Sequence, residues 1–293
     1  MAIDARIKKR IQELRMQYDV LRQGKDSLLM LLDEAEIAES VYNSNAIENS
    51  TLTLKETEKI LLHMEISRDI SLREVFEAKN LARVMDYIRK KSQEEELTQE
   101  RILLLHRMLI GGIDDNIAGR FRKLGEYVRV GTHVAPSPEL VERMMGNLLV
   151  GYSSDLTSFI LDKIAKFHLE FETIHPFNDG NGRIGRVLMN WQLFRSGFPP
   201  VIIRNKEKYV YYDAFRDYND AKQMRSMERI IAHVVLESLH KRMSYLKNEK
   251  IVKLSEYGKK RKQSAPALFN AARRQTIPAF REKGIWMIGE AMV

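Results

Sequence analysis

The segment from His175 to Arg186, which reads HPFNDGNGRIGR, combines a proton acceptor, a carboxylate, two amides, three glycines and two arginines. Histidine is the side chain whose usual pKa lies near neutral pH, so His175 could deprotonate an attacking hydroxyl. Asp179 offers anionic oxygens of the kind that Mg²⁺ prefers when it also binds the phosphates of a substrate. This mixture indicates a site that holds a phosphate beside a base.

The glycines of the segment predict an anion-binding turn. Without side chains, Gly180 and Gly182 can adopt left-handed conformations that turn backbone N–H groups toward an anion. Asn181, which lies between them, adds an amide donor. Arg183 and Arg186 are three residues apart and could reach the same polyphosphate.

A helix is predicted directly after this turn. Its apolar residues have helical spacing: Ile184, Val187, Leu188, Trp191 and Phe194. The turn should therefore lie at a helix N-terminus, where unpaired N–H groups and the helix dipole favour negative charge.

Two other phosphate-binding patterns do not fit. Residues 180–185 match G-x-G-x-x-G, but that dinucleotide fingerprint requires a preceding strand. The residues before His175 have the spacing of an amphipathic helix instead: Leu156, Phe159, Ile160, Ile164, Phe167, Phe171 and Ile174. The sequence also lacks G-x-x-x-x-G-K-[ST], which excludes a P-loop.

The segment 175–186 resembles the signature of the Fic family, HPFx[DE]GNGRxxR, and matches every fixed position. Fic proteins are helical enzymes that mostly transfer AMP from ATP to a hydroxyl side chain of a target protein. The resemblance implies that His175 is the general base and that Asp179 binds Mg²⁺. It assigns the phosphates of ATP to Asn178, Gly180, Asn181, Gly182, Arg183 and Arg186.

A second segment, Ser44-Asn-Ala-Ile-Glu48-Asn49, resembles the [ST]xxxE[GN] motif of the inhibitory helix in Fic proteins. Ser44 and Glu48 are four residues apart and share a face of a helix. The resemblance implies that Glu48 pairs with Arg186 and keeps the γ-phosphate away from it. It places the chain in the class whose inhibitory helix precedes the core.

Residues 119–132 predict a short hairpin, because glycines punctuate the segment and Tyr127, Val128 and Val130 favour strands. In Fic enzymes such a flap aligns a target segment by edge-strand pairing. The resemblance makes Val128 a contact to the adenine, although the hairpin could equally be structural.

Two residues further along match the positions that bind adenine in Fic proteins. Tyr212 could stack on the base and Asn219 could hydrogen-bond to it. Core packing is the competing use of an aromatic residue here.

The C-terminal residues are unusually basic. Residues 247–283 contain 11 Lys or Arg and 3 Asp or Glu, a surplus that equals the net charge of +8 of the entire chain. A helix is predicted over 267–274, followed by two short strands around Lys283-Gly284 that have Phe280 and Trp286 as a small core. The pattern resembles winged helix-turn-helix modules, which implies DNA binding. A basic interaction or dimerisation module is the alternative. The candidate phosphate contacts are Lys259, Lys260, Arg261, Lys262, Arg273 and Arg274.

The resemblance to Fic proteins implies a mainly α fold, a Fic-type helical bundle. The 293 residues include no cysteine, no apolar run of membrane length and a charged N-terminus, which indicate a cytoplasmic protein. Three segments are expected: an N-terminal helical region over 1–95 that carries the inhibitory motif at 44–49, a Fic core over 96–246 with a β-hairpin flap, and a winged-helix appendage over 247–293.

The functional prediction is an autoinhibited, Mg²⁺-dependent adenylyltransferase that modifies a Ser, Thr or Tyr hydroxyl of a target protein or of itself. Three alternatives stay open: transfer of the γ-phosphate, removal of AMP by a water that Glu48 positions, and a DNA-binding regulator whose Fic domain senses nucleotide. The resemblance also suggests a homodimer, which is common among Fic proteins.

Overall fold

The computed structural model describes residues 5–66, 69–131 and 133–291 of the chain. Within these residues, twelve α-helices and five short strands confirm the prediction of a mainly α fold. The helices are α1 Ala5–Leu21, α2 Asp26–Ile47, α3 Leu54–Glu58, α4 Leu72–Lys91, α5 Gln99–Ile110, α6 Pro138–Ser154, α7 Ile160–Ile174, α8 Asn181–Arg195, α9 Lys208–Ala221, α10 Arg225–Leu246, α11 Leu254–Lys260 and α12 Ala265–Arg273. The strands are β1 Arg129–Val130, β2 His133–Val134, β3 Lys250–Lys253, β4 Ala279–Glu282 and β5 Ile285–Glu290.

The chain divides into two compact units, and their bounds differ from the three segments predicted in series. The larger unit comprises Ile37–Gly197 and Ile202–Glu228, and the smaller one comprises the described residues of Ile3–Glu36, Phe198–Val201 and Arg229–Val293. The smaller unit joins residues that are distant in the sequence. Arg242, for example, is buried and bonds Asp33 Oδ1 at 2.7 Å and Glu36 Oε2 at 2.5 Å.

The larger unit is built around α8. This helix is buried along nearly its whole length and packs against α4, α5 and α7. Trp191 at its centre is fully buried. Because α8 is held on several sides, its N-terminus is a fixed point from which the signature segment can be positioned.

The predicted hairpin is shorter than expected and lies further along the chain. Strands β1 and β2 are two residues each, with Arg129 opposite Val134 and Val130 opposite His133. The second strand thus falls beyond the predicted limit at Thr132, a residue that lies outside those described. Residues 119–126 form a loop instead of a strand. Arg120 Nη1 and Nη2 donate to Glu126 Oε2 and Oε1, each at 2.7 Å, and this ion pair holds the segment in a turn.

The C-terminal part of the smaller unit contains a three-stranded antiparallel sheet in the order β3-β5-β4. The predicted helix and the two strands around Lys283-Gly284 are present as α12, β4 and β5. Both turn residues have positive φ, 49° and 79°, as a two-residue hairpin requires. Phe280 is fully buried, and Trp286 packs at the edge of the cluster formed by Leu254, Leu268, Ala272, Ala279 and Ile288.

Among the described residues, no helix combines the length and the apolar character that a membrane span needs.

Candidate active site

The signature segment forms a loop between α7 and the N-terminus of α8. His175 ends α7 with a left-handed φ of 49°, and Gly180 precedes α8 with a φ of 83°. Asn181 closes the loop, since its Oδ1 accepts the Phe177 backbone N–H at 2.9 Å and its Nδ2 donates to the Phe177 carbonyl at 2.8 Å. The Asn181 amide is thus occupied within the fold, and its backbone N–H is the group that it can offer to an anion.

His175 is a nearly buried imidazole, with 14% of its side chain exposed. Burial lowers its pKa to about 4, so the ring is neutral at pH 7, the form that a general base needs. Its Nδ1 lies 3.8 Å from Oε2 of Glu172, one turn earlier on α7. Burial, reinforced by the charge of Glu48, raises the pKa of Glu172 to about 8, so this carboxyl is protonated at neutral pH.

Asp179 and Arg183 belong to a closed ring of charges. Asp179 Oδ1 accepts from Arg183 Nη2 at 2.9 Å, and Oδ2 accepts from Arg73 on α4. Glu77, also on α4, lies 3.0 Å from Arg183 and 3.1 Å from Arg73. In the described part of the chain, Oδ1 of Asn178 is buried without a hydrogen-bond partner.

Arg186 is buried and bonded to the predicted inhibitory motif. Its Nε donates to Ser44 Oγ at 2.9 Å, while its Nη2 donates to the Ser44 carbonyl and to Glu48 Oε1, both at 2.8 Å. Although burial opposes the charge, Glu48 holds the pKa of Arg186 above its usual value. The Glu48 carboxylate also lies against Gly182, where a methyl group would overlap Oε1. The structure therefore brings Ser44, Glu48, Gly182 and Arg186 together.

Asn49 has a different role from its neighbours in the motif. It lies two residues after Ile47, the last residue of α2, with a left-handed φ of 67°, and its backbone N–H bonds the Ala46 carbonyl at 3.1 Å. Glycine and asparagine are the residues that adopt this conformation most readily. The Gly-or-Asn requirement of the motif thus has a structural explanation, since this residue adopts the left-handed conformation of the turn that follows α2.

The three residues assigned to adenine lie in two different segments of the chain. Tyr212 and Asn219 lie two turns apart on one face of α9, and Val128 is half-buried directly before β1. Tyr212 Oη donates to the Ile47 carbonyl at the end of α2 at 2.8 Å. Asn219 Oδ1 accepts from Thr173 Oγ1 at 3.1 Å. The role of Val128, Tyr212 and Asn219 as adenine contacts remains a prediction.

Arg122 attaches the loop before β1 to the signature segment. It is buried, and its Nε donates to the His175 carbonyl at 2.8 Å. Its Nη1 donates to the Glu126 carbonyl at 3.0 Å, and its Nη2 donates to the carbonyls of Pro136 at 2.9 Å and Ile174 at 3.3 Å. One side chain therefore spans both ends of the flap and the end of α7.

Several residues that shape the site were not found from the sequence: Arg73, Glu77, His106, Arg122 and Glu172. Only Glu172 carried a usable signal, because it is a carboxylate three residues before a predicted base on the same helix. His106 stacks on Phe177 at 3.7 Å, and its Nε2 lies 3.0 Å from the Asp179 carbonyl. The other four residues contact the signature segment from positions 50 or more residues away in the sequence, and no local pattern predicts those contacts.

Known proteins and solved structures are similar to this chain. Residues 96–193 match the Fic/DOC family. The chain is 32% identical over 231 residues to the Protein adenylyltransferase Fic of Aedes aegypti, across 76% of this chain and 46% of that protein. It is similar to a Fic domain containing signaling protein from Bacteroides thetaiotaomicron, with a TM-score of 0.73 and 26% identity over 82% of this chain and 97% of that one.

A Fic family protein from Desulfovibrio desulfuricans shares the fold along the whole chain, with a TM-score of 0.69 and 18% identity over 100% of this chain and 98% of that one. By contrast, the chain spans about half the length of the curated relatives that it matches.

Proposed function

Since residues 96–193 of this chain belong to the Fic/DOC family, we propose that the protein transfers AMP from ATP to a Ser, Thr or Tyr hydroxyl of a protein, and that Glu48 restrains this activity. The observation that carries the proposal is the position of the Glu48 carboxylate. It bonds Arg186 and lies against Gly182 at the N-terminus of α8, where the turn and the helix dipole favour an anion. Because the Glu48 carboxylate is an anion at a site that favours anions, its position supports the proposal that it excludes a phosphate from this site.

In the proposed reaction the chain mainly positions groups and neutralises charge. His175 accepts the proton of the target hydroxyl, whose oxygen forms a bond to the α-phosphorus. The bond between this phosphorus and the bridging oxygen breaks, and pyrophosphate leaves. Arg183 and Arg186 hold the negative charge on pyrophosphate, so Arg186 must first be released from Glu48.

Asp179 fits a Mg²⁺ ion that also binds phosphates. Although burial opposes ionisation, Arg183 and Arg73 hold the pKa of Asp179 below its usual value, and a third of its side chain is exposed. No cluster of three or more metal-ligating side chains occurs among residues 5–66, 69–131 and 133–291, so the phosphates and water would supply the other ligands. When bound, the ion would neutralise phosphate charge.

The proposal is tested by label transfer with α-labelled and γ-labelled ATP in the presence of Mg²⁺. We expect Glu48→Gly to raise transfer of α-label at least about tenfold, which corresponds to 1.4 kcal/mol, and addition of His175→Ala to abolish it. Glu94→Gly is the matched control. Glu94 is an exposed glutamate whose carboxylate lies 3.8 Å from the ammonium group of Lys91. The protein itself and a cell lysate serve as acceptors.

Other outcomes would replace the proposal. Equal labelling by the wild type and by Glu48→Gly would remove Glu48 as a restraint. Transfer of γ-label alone would make the protein a phosphotransferase. Loss of AMP from a protein labelled beforehand, in the wild type and not in Glu48→Gly, would indicate removal of AMP.

A second candidate function, DNA binding, is favoured by the charge of the smaller unit. Of the 11 Lys and Arg residues in 247–283, ten are exposed and only Arg281 is partly buried. Of the three acidic residues in this range, Glu256 alone is exposed. A surface with this excess of cations fits the phosphates of a nucleic acid. The exposed residues of α12 include Ala267 and Asn270, a small and an amide side chain that a groove could accommodate.

A further inference from the structure

Both carboxylate oxygens of Asp179 are already bonded to arginines. Arg183 contacts Oδ1 and Arg73 contacts Oδ2. Glu77 holds both arginines from the other side, through its Oε1. The four side chains thus form a ring in which two positive and two negative charges alternate.

A divalent cation bound to an oxygen of Asp179 would lie beside the guanidinium that already contacts that oxygen, and the repulsion between the two positive charges favours departure of one of the two arginines. The two differ in how tightly they are held. The Arg183 side chain is 4% exposed, whereas that of Arg73 is 56% exposed. Burial makes Arg183 costly to move, because its charge would lose a partner in a poorly solvated place. Arg73 can move into water at little cost.

We propose that Arg73 occupies the place of the metal at Asp179 when no metal is bound, and thereby sets the metal affinity of the site. This inference rests on the proposed function, in which Asp179 binds Mg²⁺. Arg73 lies outside the signature segment, 106 residues before Asp179. It acts as a competitor for the ligand oxygen and does not touch the reacting atoms.

Glu77 keeps both arginines close to Asp179 while a metal replaces Arg73 there. When Oδ2 of Asp179 is taken by a metal, Glu77 still accepts Arg73 Nε at 3.1 Å and still pairs with Arg183 at 3.0 Å. Arg73 therefore remains tethered beside the site, and Arg183 keeps its position for the phosphates. Loss of metal allows Arg73 to return to Asp179.

The test is a titration of Mn²⁺, in which free ion is measured by electron paramagnetic resonance with a non-hydrolysable ATP analogue present. The Glu48→Gly chain serves as the background, so that Glu48 does not exclude the nucleotide. We expect Arg73→Gln to tighten Mn²⁺ binding by about fivefold, the size expected for loss of a half-exposed competing ion pair. Lys90→Gln is the control. Lys90 is a cation on the same helix as Arg73, its side chain is 63% exposed, and it pairs with Asp86.

Each result has a distinct meaning. Unchanged Mn²⁺ affinity in Arg73→Gln would overturn the inference and leave the proposed transfer of AMP intact. Weaker binding would also overturn it, because Arg73 would then be helping to hold the metal-bound nucleotide. Failure of the Glu48→Gly background to bind Mn²⁺ at all would instead reject Asp179 as the metal ligand, and with it this part of the proposed function. Binding that Asp179→Asn abolishes would establish the site.

Discussion

Glu172 lies at the centre of the titratable groups around His175. Its Oε1 has no hydrogen-bond partner among the described residues. The groups that face it are His175 on its own helix, Glu48 on α2, Arg186 on α8 and Tyr211 on α9. Gly185 permits this arrangement, since a methyl group there would overlap Glu172 Oε1.

The protonated state of Glu172 should appear in the pH dependence of stability. Its folded pKa of about 8 lies above the ordinary value, so the folded chain binds more protons than the unfolded chain between about pH 4.5 and 8. Glu172 therefore lowers the free energy of unfolding as the pH rises through this range. Glu172→Gln mimics the neutral acid and removes this loss.

We expect the stability of Glu172→Gln relative to the wild type to increase between pH 6 and pH 8, by at most about 1.4 kcal/mol per pH unit. Urea unfolding at several pH values measures it. A difference that does not change with pH would show that Glu172 is ionised throughout.

The loop before β1 depends on Arg122. This side chain bonds carbonyls in the flap and at the end of α7, including that of His175. An arginine suits this position because its fork of N–H groups can donate in several directions at once. The flap and the candidate base are thus positioned by the same side chain.

We expect Arg122→Met to lower the free energy of unfolding by about 3 kcal/mol, since buried carbonyls would lose charged donors. Label transfer in the Glu48→Gly background should fall as well, because His175 and the flap would lose their common support. Lys123→Met is the control, as Lys123 is an exposed cation next in sequence. Unfolding and label transfer are measured on the same samples, and an unchanged stability would contradict the role of Arg122.

The net positive charge of the chain is concentrated in one stretch. The surplus of eight cations in residues 247–283 equals the net charge of the chain, so the remaining residues are balanced. If this stretch binds duplex DNA, affinity should fall steeply with salt, because each neutralised phosphate releases counterions.

The double variant Lys259→Gln/Lys262→Gln should weaken binding and reduce the slope of log affinity against log salt concentration by about 2. Fluorescence polarisation of the full chain with a labelled duplex, between about 50 and 200 mM salt, measures this change, with Lys90→Gln as the control. A slope that stays the same in the double variant would place the contact elsewhere. No binding at the lowest salt would contradict DNA binding by this stretch, and tighter binding to single-stranded RNA would change the class of nucleic acid.

The sequence predicted those parts of the site whose residues are close together along the chain. The turn at Gly180, the helix that begins at Asn181 and the hairpin at Lys283-Gly284 all follow from local spacing and glycine placement. The pairing of Glu48 with Arg186 was also predicted, through resemblance of two short motifs. The hairpin was predicted over residues 119–132, which is too long. The ion pair between Arg120 and Glu126 keeps residues 119–126 in a loop and outweighs the strand preference of single residues. The ring around Asp179 could not be predicted, because Arg73 and Glu77 are paired with it only by the packing of α4 against α8.

The three hydrogen bonds that Arg186 makes to Ser44 and Glu48 also hold α2 onto the end of α8. A chain whose restraint has been released therefore keeps a buried guanidinium without its carboxylate until nucleotide arrives, at a cost in stability. In a cell, a small loss of stability is enough to hasten degradation. The released form should accordingly be short-lived wherever ATP is scarce, so that the contact that we propose as the restraint on transfer would also set how long the protein persists.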